Sequence, residues 1–322
     1  MTRFGLQMPS FTFEDLPASA LFARIADTAV AAEGAGFDSF WVMDHYHQIA
    51  TQGPPSEPML EAYTLLGGVA TRTSRISLGA MVTGVTYRNP AFLAKVVTTL
   101  DVVSSGRAIL GIGAAWNDEE SRAYGYDWPP VSERFERLED ALQICRAMFT
   151  NEQSTFRGTR HSIDGAYNVP QPVQPGGPKI LIGGGGEKKT LRLVAKYADM
   201  WNGFGTVEDM RHKLDVIEQH CRDVGRDPRE IVTTRLGTLA LAETMEEAER
   251  MREAFQRRRG LDDAAVGASL IWGTADVVAE RIQAYFDAGL AGMLFNLPPG
   301  SSPDDVRRTG ALLTERFPVP AS

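Results

Sequence analysis

Only two of the 322 residues are cysteine, Cys145 and Cys221. Both fall inside helical patterns with no paired spacing, which excludes a disulfide framework and leaves buried, reduced thiols in the cytoplasm as the expectation. The five histidines are too scattered for a ligand set. His47 stands two residues from His45 with no further ligands in view, so no metal is expected. Basic charge is scarce as well: 33 Lys and Arg against 41 Asp and Glu, a net −8, excludes the basic face that nucleic acid demands. No run approaches the roughly eighteen uninterrupted apolar residues of a membrane span. Met1-Thr2-Arg3 leads straight into the strand-like FGLQM, so no signal peptide is expected.

What is present is apolar material for one sizeable core, 43% hydrophobic against 23% charged. The stretch Gly34 to His45, GAGFDSFWVMDH, shows how that material is arranged. Ala35-Gly36 closes a helix expected over 17–35, since glycine supports the left-handed turn that ends helices. Residues 37–42 then read as a short buried strand ending at Met43, Asp44 and His45.

The unit of helix, glycine, buried strand and polar residue recurs. Strands are expected at 3–8, 37–42, 75–82, 107–114, 179–182, 198–202, 231–242 and 291–297, almost all separated by helices. Eight such units with no dividing linker imply a single (β/α)8 barrel domain over 1–322, with insertions near 48–60, 115–131, 152–175 and 260–272. Residues 260–272 read as irregular. An open, doubly wound sheet is the alternative, but its first turn should carry a glycine fingerprint, and Gln7-Met8-Pro9 cannot serve.

A barrel gathers its carboxyl strand ends at one face, where catalytic groups collect. Those ends carry Gln7-Met8, Asp44-His45, Thr83-Gly84, Gly113 to Asn117, Gly183 to Glu187, Asn202 and Asn296. His45 titrates near neutrality and suits proton transfer. Gly183 to Gly186 follow a strand and precede a helix, so their backbone can approach a phosphate closely. This is not a nucleotide P-loop, because Lys188 occupies the place of its second glycine. Gly111-Ile112-Gly113 makes only half a dinucleotide fingerprint. Thr83-Gly84-Val85-Thr86 reads as a bulge. Glu61 reads as structural at a helix start, Trp201 as core, and Arg257-Arg258-Arg259 as a solvated helix end; His161, His212 and His220 read as solvated.

Four segments in this order resemble the luciferase-like monooxygenase superfamily: Phe40 to His45, Ser74 to Gly79, Gly111 to Trp116, and Ile182 to Gly185 with Tyr197-Ala198-Asp199. The resemblance spans nearly the whole chain. It implies a (β/α)8 barrel, a homodimer, a small-molecule substrate and either coenzyme F420 or FMN, and the glycine run with Glu187 and Lys188 is most similar to the F420-dependent branch. It further implies that Asp44 and His45 lie beside the deazaflavin ring, with His45 transferring the proton. By the same resemblance a non-proline cis peptide at Gly84-Val85, after Thr83, backs the ring. Gly113, Ala114 and the loop to Asn117 follow the ring and its side chain, and Gly183, Gly184, Gly185 and Gly186, with Glu187, hold the phosphate. Two departures set aside a sugar-phosphate substrate: Ala114 stands where F420-dependent sugar-phosphate dehydrogenases carry glutamate, and Ile49 where they carry tryptophan. The proton inventory then falls to His45 and Glu61. The expected activity is hydride transfer between F420 and a small organic substrate. The alternatives are an FMN-dependent monooxygenase and a flavin-binding relative without activity.

Overall fold

Eight parallel strands close on themselves around the indole of Trp41 in the computed structural model, which describes residues 3–14 and 16–318. The barrel strands are β1 (Phe4–Met8), β2 (Ser39–Val42), β3 (Ser77–Ala80), β4 (Ala108–Gly113), β5 (Lys179–Gly183), β6 (Met200–Gly203), β7 (Val232–Leu241) and β8 (Gly292–Asn296). Each pairs with its neighbours in chain order, and β8 returns to β1 through Phe4 opposite Met293 and Leu6 opposite Phe295.

The strands read as continuous apolar runs because both of their faces are buried. Trp41, Met81, Ile109, Leu181, Met200, Leu236 and Leu294 fill the inside of the barrel. A larger layer, including Phe40, Leu78, Leu110 and Ile182, packs outward against the helices. The indole of Trp41 has room because β1 and β3 carry glycine beside it. A Cβ on Gly79 would lie 2.5 Å from the ring, and one on Gly5 would lie 3.0 Å from its Nε1.

Most helices begin where the sequence offers a cap. Asn89 accepts from the amides of Ala91 and Phe92 ahead of Pro90–Val103, and Glu61 accepts from Thr64 N at 2.7 Å ahead of Ala62–Ala70. Thr206 with Asp209 and Ser302 with Asp305 form reciprocal capping boxes. Among the described residues no helix is long and apolar enough to cross a membrane.

Three readings of the chain change. Residues 260–272 are not irregular. Asp262 caps a helix, Asp263–Ser269, and Leu270–Gly273 then forms a strand on the far half of β7, Thr238 facing Leu270. The third strand stops at Ala80 rather than 82. Finally, the cis peptide lies at Met81-Val82 and not at Gly84-Val85. Val82 fits there because glycines surround it: Cβ atoms on Gly111, Gly113 and Gly183 would come within 3.3, 3.0 and 2.9 Å of its side chain. Gln7 Nε2 donates to Met81 O at 3.1 Å. Thr83-Gly84 instead makes an ordinary pairing with β4, continued by Val85 N donating to Gly113 O at 3.0 Å. The segment read as an insertion near 152–175 carries an antiparallel hairpin, Gln153–Arg157 and Ser162–Tyr167.

Candidate active site

The carboxyl ends of the strands surround a cavity of about 890 Å³. Its walls take His45 from the end of β2, Thr83 and Gly84 after β3, Gly113 and Ala114 from β4, Gly183 and Gly184 from β5, and Asn202 and Asn296 from β6 and β8. Met81 and Val82, at the cis bond, line it as well.

His45 is held from behind. Its Nδ1 lies 2.7 Å from Oε2 of Glu120, whose side chain is fully buried. Glu120 belongs to a short helix, Asp118–Ala123, in the connection after β4 that read as an insertion. Tyr87 donates its hydroxyl to the same oxygen, and the amides of Tyr46 and His47 donate to Oε1. Burial alone would raise the Glu120 carboxyl, but these donors, His45 foremost, hold it below the usual carboxylate range. A carboxylate with no proton can only accept, so Nδ1 of His45 carries the hydrogen. That leaves Nε2 as the ring nitrogen able to exchange a proton. Trp116 meets the imidazole edge-on at 5.6 Å, and Tyr46 stacks obliquely on Tyr87 at 4.9 Å.

Asp44 faces away from this cavity. Arg88 donates to both its oxygens, at 2.5 and 3.0 Å, and also to Glu61 at 2.6 Å. Burial pushes the Asp44 carboxyl up while the guanidinium pulls it down, and Arg88, which burial would lower, is held up by Asp44. The two tendencies conflict; the bidentate contact, accepted on both oxygens, decides for an ionised pair. Glu61 is thus a cap and an ion-pair partner, as the structural reading expected, and the carboxylate that reaches His45 is Glu120.

The other expected residues divide. Val85 is core. Asn117 caps the 118–123 helix, accepting from Glu120 N at 3.2 Å. Gly185, Gly186 and Glu187 do not line the cavity, and Glu187 pairs outward with Lys213 and His212. Trp201 is core, as read, and its Nε1 donates to Gly184 O at 2.8 Å, fixing the start of the glycine turn. Arg258 and Arg259 are not simply solvated, since both reach back to Gln52, at 2.9 Å each.

The cavity's charge is one-sided. Among the described lining residues none is Asp or Glu, while Arg134 and Arg259 are both present. Arg134 Nε and Asn296 Oδ1 are buried without a partner, a donor and an acceptor that a polar ligand would satisfy. No group of three or more described His, Cys, Asp or Glu is placed to hold a metal.

The sequence profile of the luciferase-like monooxygenase family matches residues 2–260. An F420-dependent glucose-6-phosphate dehydrogenase of Amycolatopsis mediterranei is 27% identical over 307 residues, covering 85% of this chain and 88% of its own. Among solved structures, an F420-dependent secondary alcohol dehydrogenase in complex with an F420-acetone adduct superposes with a TM-score of 0.80 at 20% identity, covering 98% of both chains. The EDTA monooxygenase of Chelativorans sp. BNC1 gives 0.83 at 18% identity over 98% of this chain and 94% of its own. Profile, barrel and strand-end cavity agree, and the chain belongs to the luciferase-like monooxygenase family.

Proposed function

We propose that the protein is an F420-dependent oxidoreductase that moves a hydride between the deazaflavin and a small organic substrate. The observation that carries the proposal is the cavity at the strand ends, where His45, backed by Glu120, faces a site free of carboxylates. Relatives named as F420-dependent dehydrogenases support the cofactor. When bound, the deazaflavin supplies the hydride chemistry; this chain supplies orientation, shielding and a proton.

The residues present fit such a group. Gly84, Gly113, Gly183 and Gly184 leave backbone open beside Val82, and Thr83 and Ala114 complete that wall. Gly184 has φ +119°, a conformation that leaves glycine the natural occupant. Arg134 and Arg259 favour an anionic ligand in a chain whose net charge is −8. Arg134 Nε and Asn296 Oδ1 offer a donor and an acceptor to a heteroaromatic edge. His45 Nε2 gives or takes the substrate's proton, while Glu120 fixes the tautomer and balances the charge that forms. Asp44 acts one step removed, anchoring Arg88 and the loop that follows the cis bond. The protein acts as a cytoplasmic homodimer in this reading.

Titration of the purified protein with F420 and, separately, FMN tests this. The exposed indole of Trp116 borders the site and reports occupancy. Saturable quenching by F420 with little response to FMN is expected, and His45→Ala should keep that binding while losing about 10²–10⁴-fold in turnover. Preference for FMN, with oxygen consumed when reduced flavin is supplied, would overturn the reading in favour of a monooxygenase.

A further inference from the structure

Beside the main cavity lies a second hollow of about 480 Å³, roofed by the helix Met245–Arg259 and the chain that follows β1 and β8. The two share Gln7, Gln52, Thr238 and Arg259, so they are neighbouring chambers with a common wall. Their linings differ in kind. The main cavity holds unpartnered polar atoms. In the side chamber most polar side chains are already engaged with the protein. Ser301 donates to Pro298 O at 2.7 Å and Thr12 to Glu57 at 2.7 Å, while Gln52 receives both arginines, Arg258 on its backbone oxygen and Arg259 on its side chain. What remains for a ligand is apolar: Met8, Phe13, Met251, Phe255, Leu270 and Leu297.

Such a surface offers nothing to a sugar or a phosphate and much to a hydrocarbon, because burial of apolar area is favourable without directional partners. We propose that the side chamber seats the aliphatic chain of the substrate. The polar, redox-active end then lies in the main cavity near His45, and the chain passes Gln52 into the hollow under Met251. The substrate class is therefore a carbonyl or alcohol compound with an aliphatic tail. This rests on the oxidoreductase reading for the reacting end only; the chamber's preference for a chain is independent of it.

The test separates the two. The full chain, without cofactor, is titrated calorimetrically with butanone, hexan-2-one and octan-2-one. The same series is run with Met251→Trp, which fills the chamber, and with Met251→Ala, which widens it. In the wild type each added methylene should tighten binding about fourfold. Met251→Trp should leave butanone unchanged and abolish the gain for octan-2-one, and Met251→Ala should retain the dependence on length. Affinity that is flat with length, or a dependence that survives Met251→Trp intact, overturns the proposal. Turnover of the same ketones with reduced F420 is measured in parallel. Length-dependent binding without turnover keeps the chamber and defeats the F420 reading, whereas turnover of butanone with no effect of length does the reverse.

Discussion

Nδ1 of His45 and Oε2 of Glu120 meet at 2.7 Å across 75 positions of sequence. The contact makes Glu120 the orienting partner of the proposed proton-transfer group. Glu120→Gln keeps the shape of the side chain and removes its charge. We expect kcat to fall about 10–100-fold with KM and the melting temperature little changed. Glu120→Ala also strands the buried Tyr87 hydroxyl and the Tyr46 amide, and should cost about 1–3 kcal/mol of stability per group. Steady-state kinetics beside thermal melts of both variants check this; equal kinetic loss in a fully unfolded Glu120→Gln would leave it a structural residue only.

The Asp44–Arg88 pair is buried, and breaking such a pair from one side leaves a charge without compensation. Arg88→Met should destabilise by about 3–5 kcal/mol. The double variant Asp44→Asn with Arg88→Met should recover part of the loss, because the residues share one interaction. Urea denaturation of the four proteins in the cycle measures the coupling. Strict additivity would show that the pair is not the unit it looks to be.

Val82 is seated by glycines, and the two most informative of them differ in what a methyl group would strike. On Gly183 a Cβ would come within 2.9 Å of the Val82 side chain, which can turn into the cavity. Gly183→Ala should therefore weaken F420 binding by about tenfold, ~1.4 kcal/mol, at modest cost to folding. On Gly111 the Cβ would come within 2.0 Å of the backbone oxygen of Ala80, which cannot retreat without moving β3. Gly111→Ala should reduce the yield of soluble protein. Fluorescence titration and solubility, measured on both, distinguish the two cases.

Much of the fold was legible because parallel strands buried on both faces leave a simple trace: short apolar runs that start after glycine and stop at polar residues. All eight barrel strands follow that pattern. The site was legible only where it lies on a strand end. His45 and Gly183 show themselves by position, whereas Glu120 sits in a six-residue helix inside what reads as a loop, and its partner is set by tertiary folding. A signal existed: Asn117 followed three residues later by Glu120 is the spacing of a capped helix start. The strand Leu270–Gly273 was hidden by its brevity, and Arg258 and Arg259 by helix-end arginines usually meeting water.

Glu33 at the end of the first helix, Ala18–Gly34, offers a test of pH dependence away from the site. Its carboxylate accepts from the amides of Ser74, Arg75 and Ile76. Burial would raise it, but those bonds hold it down at about 2. An acid depressed on folding stabilises above its unfolded value and loses that contribution as pH falls toward the folded one. The benefit is therefore full above about pH 4.5 and fades toward pH 2. Solvent around the group limits it to roughly 1 kcal/mol. Glu33→Gln should be less stable than wild type at neutral pH, with the gap closing in acid; a gap constant with pH would refute the assignment.

β7 runs ten residues, pairing with β6 and β8 along its first half and with Leu270–Gly273 along its second. The partition between the two hollows is thus partly woven from backbone hydrogen bonds. Its spacing is that of neighbouring strands, about 4.8 Å, and no change of side chain can alter it. Substitutions along this edge can repaint the chambers or fill them, but the frame between them stays put. A descendant of this chain could acquire new substrates by exchanging residues on either side of β7 while the reacting end of the site kept its geometry.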